Sequence, residues 1–312
     1  MHTPVRRLAL AVPVALLLAA AAAAAPAPHP TTARRVLPTI HPASPEREPV
    51  TAPALLSSVP ADVPLAALNA QLRGTVTLSV RVARTGLVDS VRVLGGDPRL
   101  RAAAVTSARW WVFAPPAGPT WTTIKIDVDG RQDADPLLPD VLAMESDAER
   151  RGAPWEAIDA CVGALGRVGT HPRLQNPWAI REHAIRLARK LPGKLKVPGA
   201  LMTVCQQARG QQLRTMASAS HQNFVKSFDD ALLVCPWWAD GYQWRAASLL
   251  QCGQGVEAMR SLVLFRAAAA DTAARSLANR ALAGIAAGDT LGVSRMLMHE
   301  GVQFNRDEDA DH

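Results

Sequence analysis

The side chains best suited to chemistry in this chain are four cysteines, Cys161, Cys205, Cys235 and Cys252, and an adjacent carboxylate–imidazole pair, Glu182 and His183. Zinc sites and thioredoxin-like redox sites use cysteines two residues apart, a spacing that none of these four shows. In an oxidising compartment an even number of cysteines permits disulfides, with three ways to pair four residues. A helix pair running from about Pro198 to Pro236 brings Cys205 and Cys235 toward its open end, which makes them the preferred bridge. Glu182 and His183 fall on a predicted helix face, where solvent exposure or a core contact outranks metal binding. No His-Glu-x-x-His, Gly-x-Ser-x-Gly, P-loop or dinucleotide fingerprint occurs. The expectation is a chain with no catalytic residues, no metal and no cofactor, so function must be sought in surfaces.

The segment 74–128 supplies one. Val76, Leu78, Val80 and Val82 alternate with Thr75, Thr77, Ser79 and Arg81, the period of a strand with one buried face. Thr85-Gly86 offers a turn, and Val91 and Val93 continue the apolar face on a return strand. Gly95-Gly96-Asp97-Pro98 ends that strand. Asp97 is the expected N-cap of a helix that carries Leu100, Ala104, Ala108 and Trp111 along one side. A third strand covers Thr122, Thr123, Ile124, Lys125, Ile126, Asp127 and Val128, again alternating. A crossover through the helix puts the first strand in the middle and this third strand on an edge.

These residues resemble the C-terminal domain of the TonB energy-transducer family. The family's opening Tyr-Pro with Ala three residues on corresponds to Val63-Pro64 and Ala67, without the Tyr. The glycine ten residues after that Pro is Gly74, the turn glycine is Gly86, and the Trp-x-Phe-x-Pro ending is Trp111-Val112-Phe113-Ala114-Pro115. The resemblance covers about a quarter of the chain. It implies a domain that captures an extended peptide, from an outer-membrane receptor in the family's case, by adding it to a sheet edge. In this chain the implied docking edge is residues 122–128. Lys125 and Asp127 are also residue types that blunt an edge against unwanted pairing.

Arg6 and Arg7 precede an uncharged apolar run over 8–25, then a small-residue exit. That is the pattern of a secretory signal peptide over 1–24, with cleavage expected between Ala24 and Ala25 and the mature protein in the periplasm. The alternative is an uncleaved inner-membrane anchor, as in TonB transducers, which would be the only membrane contact. The run is short, is interrupted by Pro13, and lacks the polar, histidine-bearing pattern of the transducer anchor. Residues 25–58 read as a Pro-rich linker: nine prolines in 26–60 favour extended chain over a packed core.

From residue 135 to 302 the chain reads as helix pairs. Tyr242, Ala246, Leu249, Gly253, Ala258 and Leu262 fall at the spacing of a tetratricopeptide repeat, and Phe228, Ala231 and Pro236 match the end of the repeat before it. A weaker match is Met144, Ala148, Gly152, Ala157, Cys161 and Ala164. Arg245, Phe224 and Phe265 depart from the repeat pattern. Three to four degenerate pairs stacked as a short solenoid are expected, with a groove around Tyr242 and Leu249 for a peptide or partner helix. Trp237 and Trp238 are expected between helices. Residues 303–312 form an acidic tail.

The net charge of +7 falls by the two charges of Arg6 and Arg7 on export. Arg181, Arg186, Arg189, Lys190, Lys194 and Lys196 make a basic cluster that reads as a solvated helix face. Export argues against nucleic acid. The sequence thus predicts an α+β chain: a small antiparallel three-stranded sheet with helices (59–130), then an all-α repeat-like domain. The expected function is a periplasmic protein–protein adaptor whose partner is an outer-membrane receptor or another envelope protein. The alternatives are a TonB-type transducer and an envelope enzyme with an unrecognised site. Separate cores are expected for the two modules.

Overall fold

A computed structural model of the chain describes residues 52–130, 141–168, 174–193, 195–214 and 218–308. The expected signal peptide, residues 25–51 of the expected linker, and residues 309–312 lie outside the described residues, as does the side chain of Met144.

The first module begins with β1 (Leu55–Ser57) and a short α1 (Leu65–Asn69), then runs β2 (Arg73–Val82), β3 (Val88–Gly95), α2 (Pro98–Ala108), β4 (Val112–Phe113) and β5 (Thr120–Asp129). The three long strands form one antiparallel sheet in the order β3-β2-β5. The alternation read in the sequence is the reason: Val76, Leu78, Val80 and Val82 of β2 are fully buried, with Ile126 and Val128 of β5 beside them. Leu100, Ala104 and Ala108 of α2 close over that face. Asp97 caps α2 by accepting from the Arg99 N–H at 2.9 Å. Hydrogen bonds from the Arg99 guanidinium and that N–H hold the Asp97 carboxyl down at about 2. The β2–β3 turn needs Gly86: its φ is +84°, and a Cβ there would lie 2.1 Å from the Phe113 carbonyl oxygen.

β1 corrects the expected boundary between linker and domain. Leu55 and Ser57 pair with Phe113 and Val112 of β4, so chain expected to be Pro-rich tether is already part of the fold. Three residues flanked by prolines are too few to display a period, which is why composition hid this strand.

The second module holds α3 (Val141–Arg150), α4 (Pro154–Leu165), α5 (Pro177–Lys190), α6 (Gly199–Arg214), α7 (Ser218–Val234), α8 (Ala239–Gln251), α9 (Gly255–Ala268), α10 (Thr272–Ala286) and α11 (Thr290–Glu308). The small antiparallel sheet followed by this helical region makes the chain α+β. The spaced small residues sit where helices touch: Ala246, Ala258 and Ala231 are buried to within 1%. Gly253, at φ +71°, turns the chain from α8 into α9. Helix α11 continues to Glu308, so most of the expected acidic tail has helical backbone.

The arrangement is not an open solenoid. Helices α8, α9, α10 and α11 each pack on the next, and α11 returns to pack on α8. Gln243 seals that closure by donating to the Leu297 carbonyl at 2.7 Å, and Ser294 donates to the Ala247 carbonyl at 3.0 Å. Every residue from 241 to 250 is buried.

Separate cores are also corrected. Trp110, only 4% exposed, and Val59 and Val112 belong to the same apolar cluster as Phe228, Tyr242 and Trp244 of the helices. Trp110 stands 6.1 Å from Trp178 of α5 between ring centroids. Arg260 of α9 donates to the Trp110 carbonyl at 3.2 Å and to the Ser57 hydroxyl at 3.0 Å. Asp62 accepts from the backbone N–H groups of Gln175 and Asn176 at 2.7 and 2.8 Å, just ahead of α5. Trp111, expected along one helix side with Leu100, Ala104 and Ala108, lies past the end of α2, is only part-buried and packs at the junction, donating to the Val59 carbonyl at 3.1 Å.

Candidate peptide-docking edge

β5 is the last strand of its sheet, so among the described residues only one of its two backbone ranks pairs with a strand. The used rank pairs with β2 through ten consecutive positions, from Arg73 opposite Asp129 to Val82 opposite Thr120. The N–H and C=O groups of the other rank point away from β2, and these are the groups an added strand would take up.

Thr122, Ile124, Ile126 and Val128 stand opposite Val80, Leu78, Val76 and Gly74, on the face that α2 covers. Thr123, Lys125 and Asp127 stand opposite Ser79, Thr77 and Thr75 on the exposed face. Asp127 is held there by the Thr75 hydroxyl, which donates to it at 2.6 Å. The seven residues singled out in the sequence therefore form one continuous edge, with apolar and polar side chains on opposite faces.

Trp121 was missed. It is 42% exposed at the start of the same edge, and the Arg92 guanidinium of β3 lies 4.4 Å from its ring centroid. The alternation carries the signal, since residue 121 shares parity with the outward-facing residues 123, 125 and 127. A large aromatic on a solvent-facing parity is the informative oddity.

The other sequence-derived sites are dispersed. Tyr242 and Leu249 are enclosed within the α8 packing, so the groove expected around them is not formed. Tyr242 donates to the Pro236 carbonyl at 2.8 Å, and burial pushes its hydroxyl pKa well up. Trp238 is buried and Trp237 part-buried between helices. None of the four cysteines forms a disulfide. Cys205 and Cys235 share one core without a bridge, and burial raises both, Cys205 to about 11.

Nor do Glu182 and His183 assemble a site. His183 instead meets Arg186 at 2.8 Å and lies 3.8 Å from Glu149 of α3. Among the described residues no group of three His, Cys, Asp or Glu side chains could hold a metal ion.

The basic cluster is not one solvated face. Arg181 is 9% exposed beside Trp178, and burial lowers its pKa. Arg189 donates to the Ala269 carbonyl at 2.7 Å, and Lys190 pairs with Glu149 at 3.0 Å. Lys194 lies outside the described residues.

The family described as Gram-negative bacterial TonB protein C-terminal matches residues 63–129, from the loop ahead of α1 to the end of β5. No curated protein and no solved structure matches the chain. Among the described residues no helix is long and apolar enough to cross a membrane.

Proposed function

We propose that this chain is an exported periplasmic adaptor that captures an extended segment of an envelope protein on the β5 edge, with the helical module as its scaffold. The single observation that carries the reading is the strand order β3-β2-β5, which leaves one backbone rank of a ten-residue strand outside the sheet. The family match over residues 63–129 supports a protein partner. Backbone pairing supplies affinity, while Thr123, Lys125 and Asp127 tune choice from one face. We read the pairs α3/α4 and α8/α9 as degenerate tetratricopeptide-like units, on the spacing of Ala148 to Ala164 and Tyr242 to Leu262. The reading assigns no catalytic step.

The test is photo-crosslinking from position 123 in intact cells, in the parent chain and in Ile124→Pro and Lys125→Pro variants. Proline offers no N–H, so whichever parity points outward loses its partner while the other parity reports the cost to the fold. Loss of the crosslink in one folded variant is expected. Equal crosslinking in both folded variants would remove β5 as the docking site.

The same family match also fits a TonB-type transducer, which differs by keeping residues 1–24 as an anchor. N-terminal sequencing separates the two. A mature terminus near Ala25 supports the adaptor, and an intact terminus in the inner membrane supports the transducer.

A further inference from the structure

A cleft of about 420 Å³ opens where the β2–β3 hairpin of the sheet module faces α9 and α10. That volume lies within the range of roughly 300–1,000 Å³ typical of ligand sites. Its apolar walls include Leu87, Val263 and Leu282, and its polar rim carries Arg109, Arg266 and Asn279.

The charges of this cleft do not balance. Asp89 is engaged by two nitrogens of Arg81, Nε and Nη2, at 2.7 and 2.9 Å. Arg260, on the inner wall, is matched by Glu257 at 2.6 Å. That leaves Arg109 and Arg266. Among the described residues the Arg109 guanidinium has no hydrogen bond or ion pair, and Arg266 donates to the neutral oxygen of Asn279 at 3.1 Å. Two cations without a carboxylate, set beside apolar walls, favour an anion joined to an apolar group.

We propose that this cleft is a second recognition site, which takes an acidic residue neighbouring a large apolar residue in an extended segment of a partner protein. The anion would lie between Arg109 and Arg266, and the apolar side chain against Leu87, Val263 and Leu282. Thr85 and Asn279 add a hydroxyl and an amide to the lining, groups that suit a peptide backbone better than an acyl chain. The site is distinct from the docking edge, because β5 lies on the opposite side of β2 from β3.

The test is calorimetric titration of the full chain with a blocked hexapeptide, Ser-Glu-Leu-Glu-Leu-Ser, with its Glu-to-Gln counterpart, and with decanoate. The acidic peptide is expected to bind at one site, and the Gln peptide about tenfold more weakly, as for loss of a charge-assisted contact. Arg109→Ala and Arg266→Ala should each weaken binding by about tenfold. Both residues are exposed, so circular dichroism should show an unchanged fold. Whichever of the two edge proline variants keeps its fold should leave this affinity as it is, so the outcome is independent of the docking reading above. The proposal is overturned by equal binding of the two peptides, by unchanged affinity in the double arginine variant, or by no peptide binding at millimolar concentration. Decanoate binding in place of the peptide would assign the cleft to acyl chains and overturn it equally.

Discussion

The sheet module and the helical module start from the same kind of signal, apolar residues at a regular period, and end with opposite surfaces. In the sheet the period is two, and hydrogen bonding extends sideways until the strands run out. β5 is where they run out, so a strand with a well-buried face still has an unspent backbone. In a helix the backbone bonds are internal, and only side chains are left to meet a neighbour. α8 gives all of its sides to α7, α9 and α11 and keeps nothing for a ligand. A strand can therefore be fully packed and still offer a binding surface, whereas a fully packed helix cannot.

The strongest way to break this comparison is to ask whether the modules are separate bodies at all. Trp110→Ala removes an aromatic that belongs to the sheet module in sequence and to the helical core in space. A loss of about 3–5 kcal/mol is expected, as for a buried aromatic replaced by Ala. Because Val59 and Val112 share that core, one cooperative transition should shift, whether followed by far-ultraviolet dichroism or by Trp fluorescence. Unmoved helical signal, with only the sheet unfolding earlier, would restore two independent bodies.

A smaller effect tests the helical interior. Arg245 is 7% exposed, donates to Asp229 and to the Ser261 hydroxyl at 2.6 Å each, and lies 5.4 Å from the Trp178 ring centroid. Arg245→Met takes one donor from the Ser261 hydroxyl, which keeps its own bond to the Glu257 carbonyl at 3.0 Å, and leaves Asp229 in partial contact with water. The expected cost is therefore about 1–2 kcal/mol, well under that of a fully buried broken pair. Chemical denaturation measures it, and a variant as stable as the parent would show that the hub around Trp178 is filler.

The smallest effect separates the modules by pH. His221 of α7 is buried, neither ring nitrogen has a hydrogen-bond partner among the described residues, and burial lowers its pKa below 6.5. The unfolded chain takes up a proton there before the folded chain does. Stability from this residue is thus complete above about pH 6.5 and declines as pH falls below it. Asp97 of the sheet module behaves differently. Its carboxyl is depressed from 3.8 to about 2, so its contribution is intact above about 4 and is lost only as pH falls toward 2. Denaturation midpoints between about pH 7 and 5 should flatten in His221→Phe. An undiminished slope in that variant would place the acid sensitivity elsewhere.

How far each module was legible follows from the range of its contacts. Strand alternation, the Gly86 turn and the Asp97 cap are local patterns, and they led to the sheet order and to residues 122–128 at its edge. The spacing of Tyr242, Ala246, Leu249, Gly253, Ala258 and Leu262 is also local and gave the α8–α9 pair. What lay beyond reading was long-range. Trp110 meets Trp178 across 68 positions of chain, and Asp62 holds the backbone just ahead of α5, more than a hundred residues away. The departures from the repeat pattern were in plain sight but lacked partners in the sequence. Arg245 stands where Leu is usual because it serves Asp229 and Ser261. Phe224 packs its ring 5.8 Å from His221, and Phe265 fills the core that α9 helps to close.

The unbroken register between β2 and β5 has a mechanical meaning. β3 shifts register twice against β2, while β5 keeps step through all ten positions. A segment annealed to the outside of β5 and pulled along the strand would load that ladder in shear, with every bond resisting together. Pulled across the strand, the same segment would peel away one bond at a time. A strand docked there would thus hold tension along one axis and release along another.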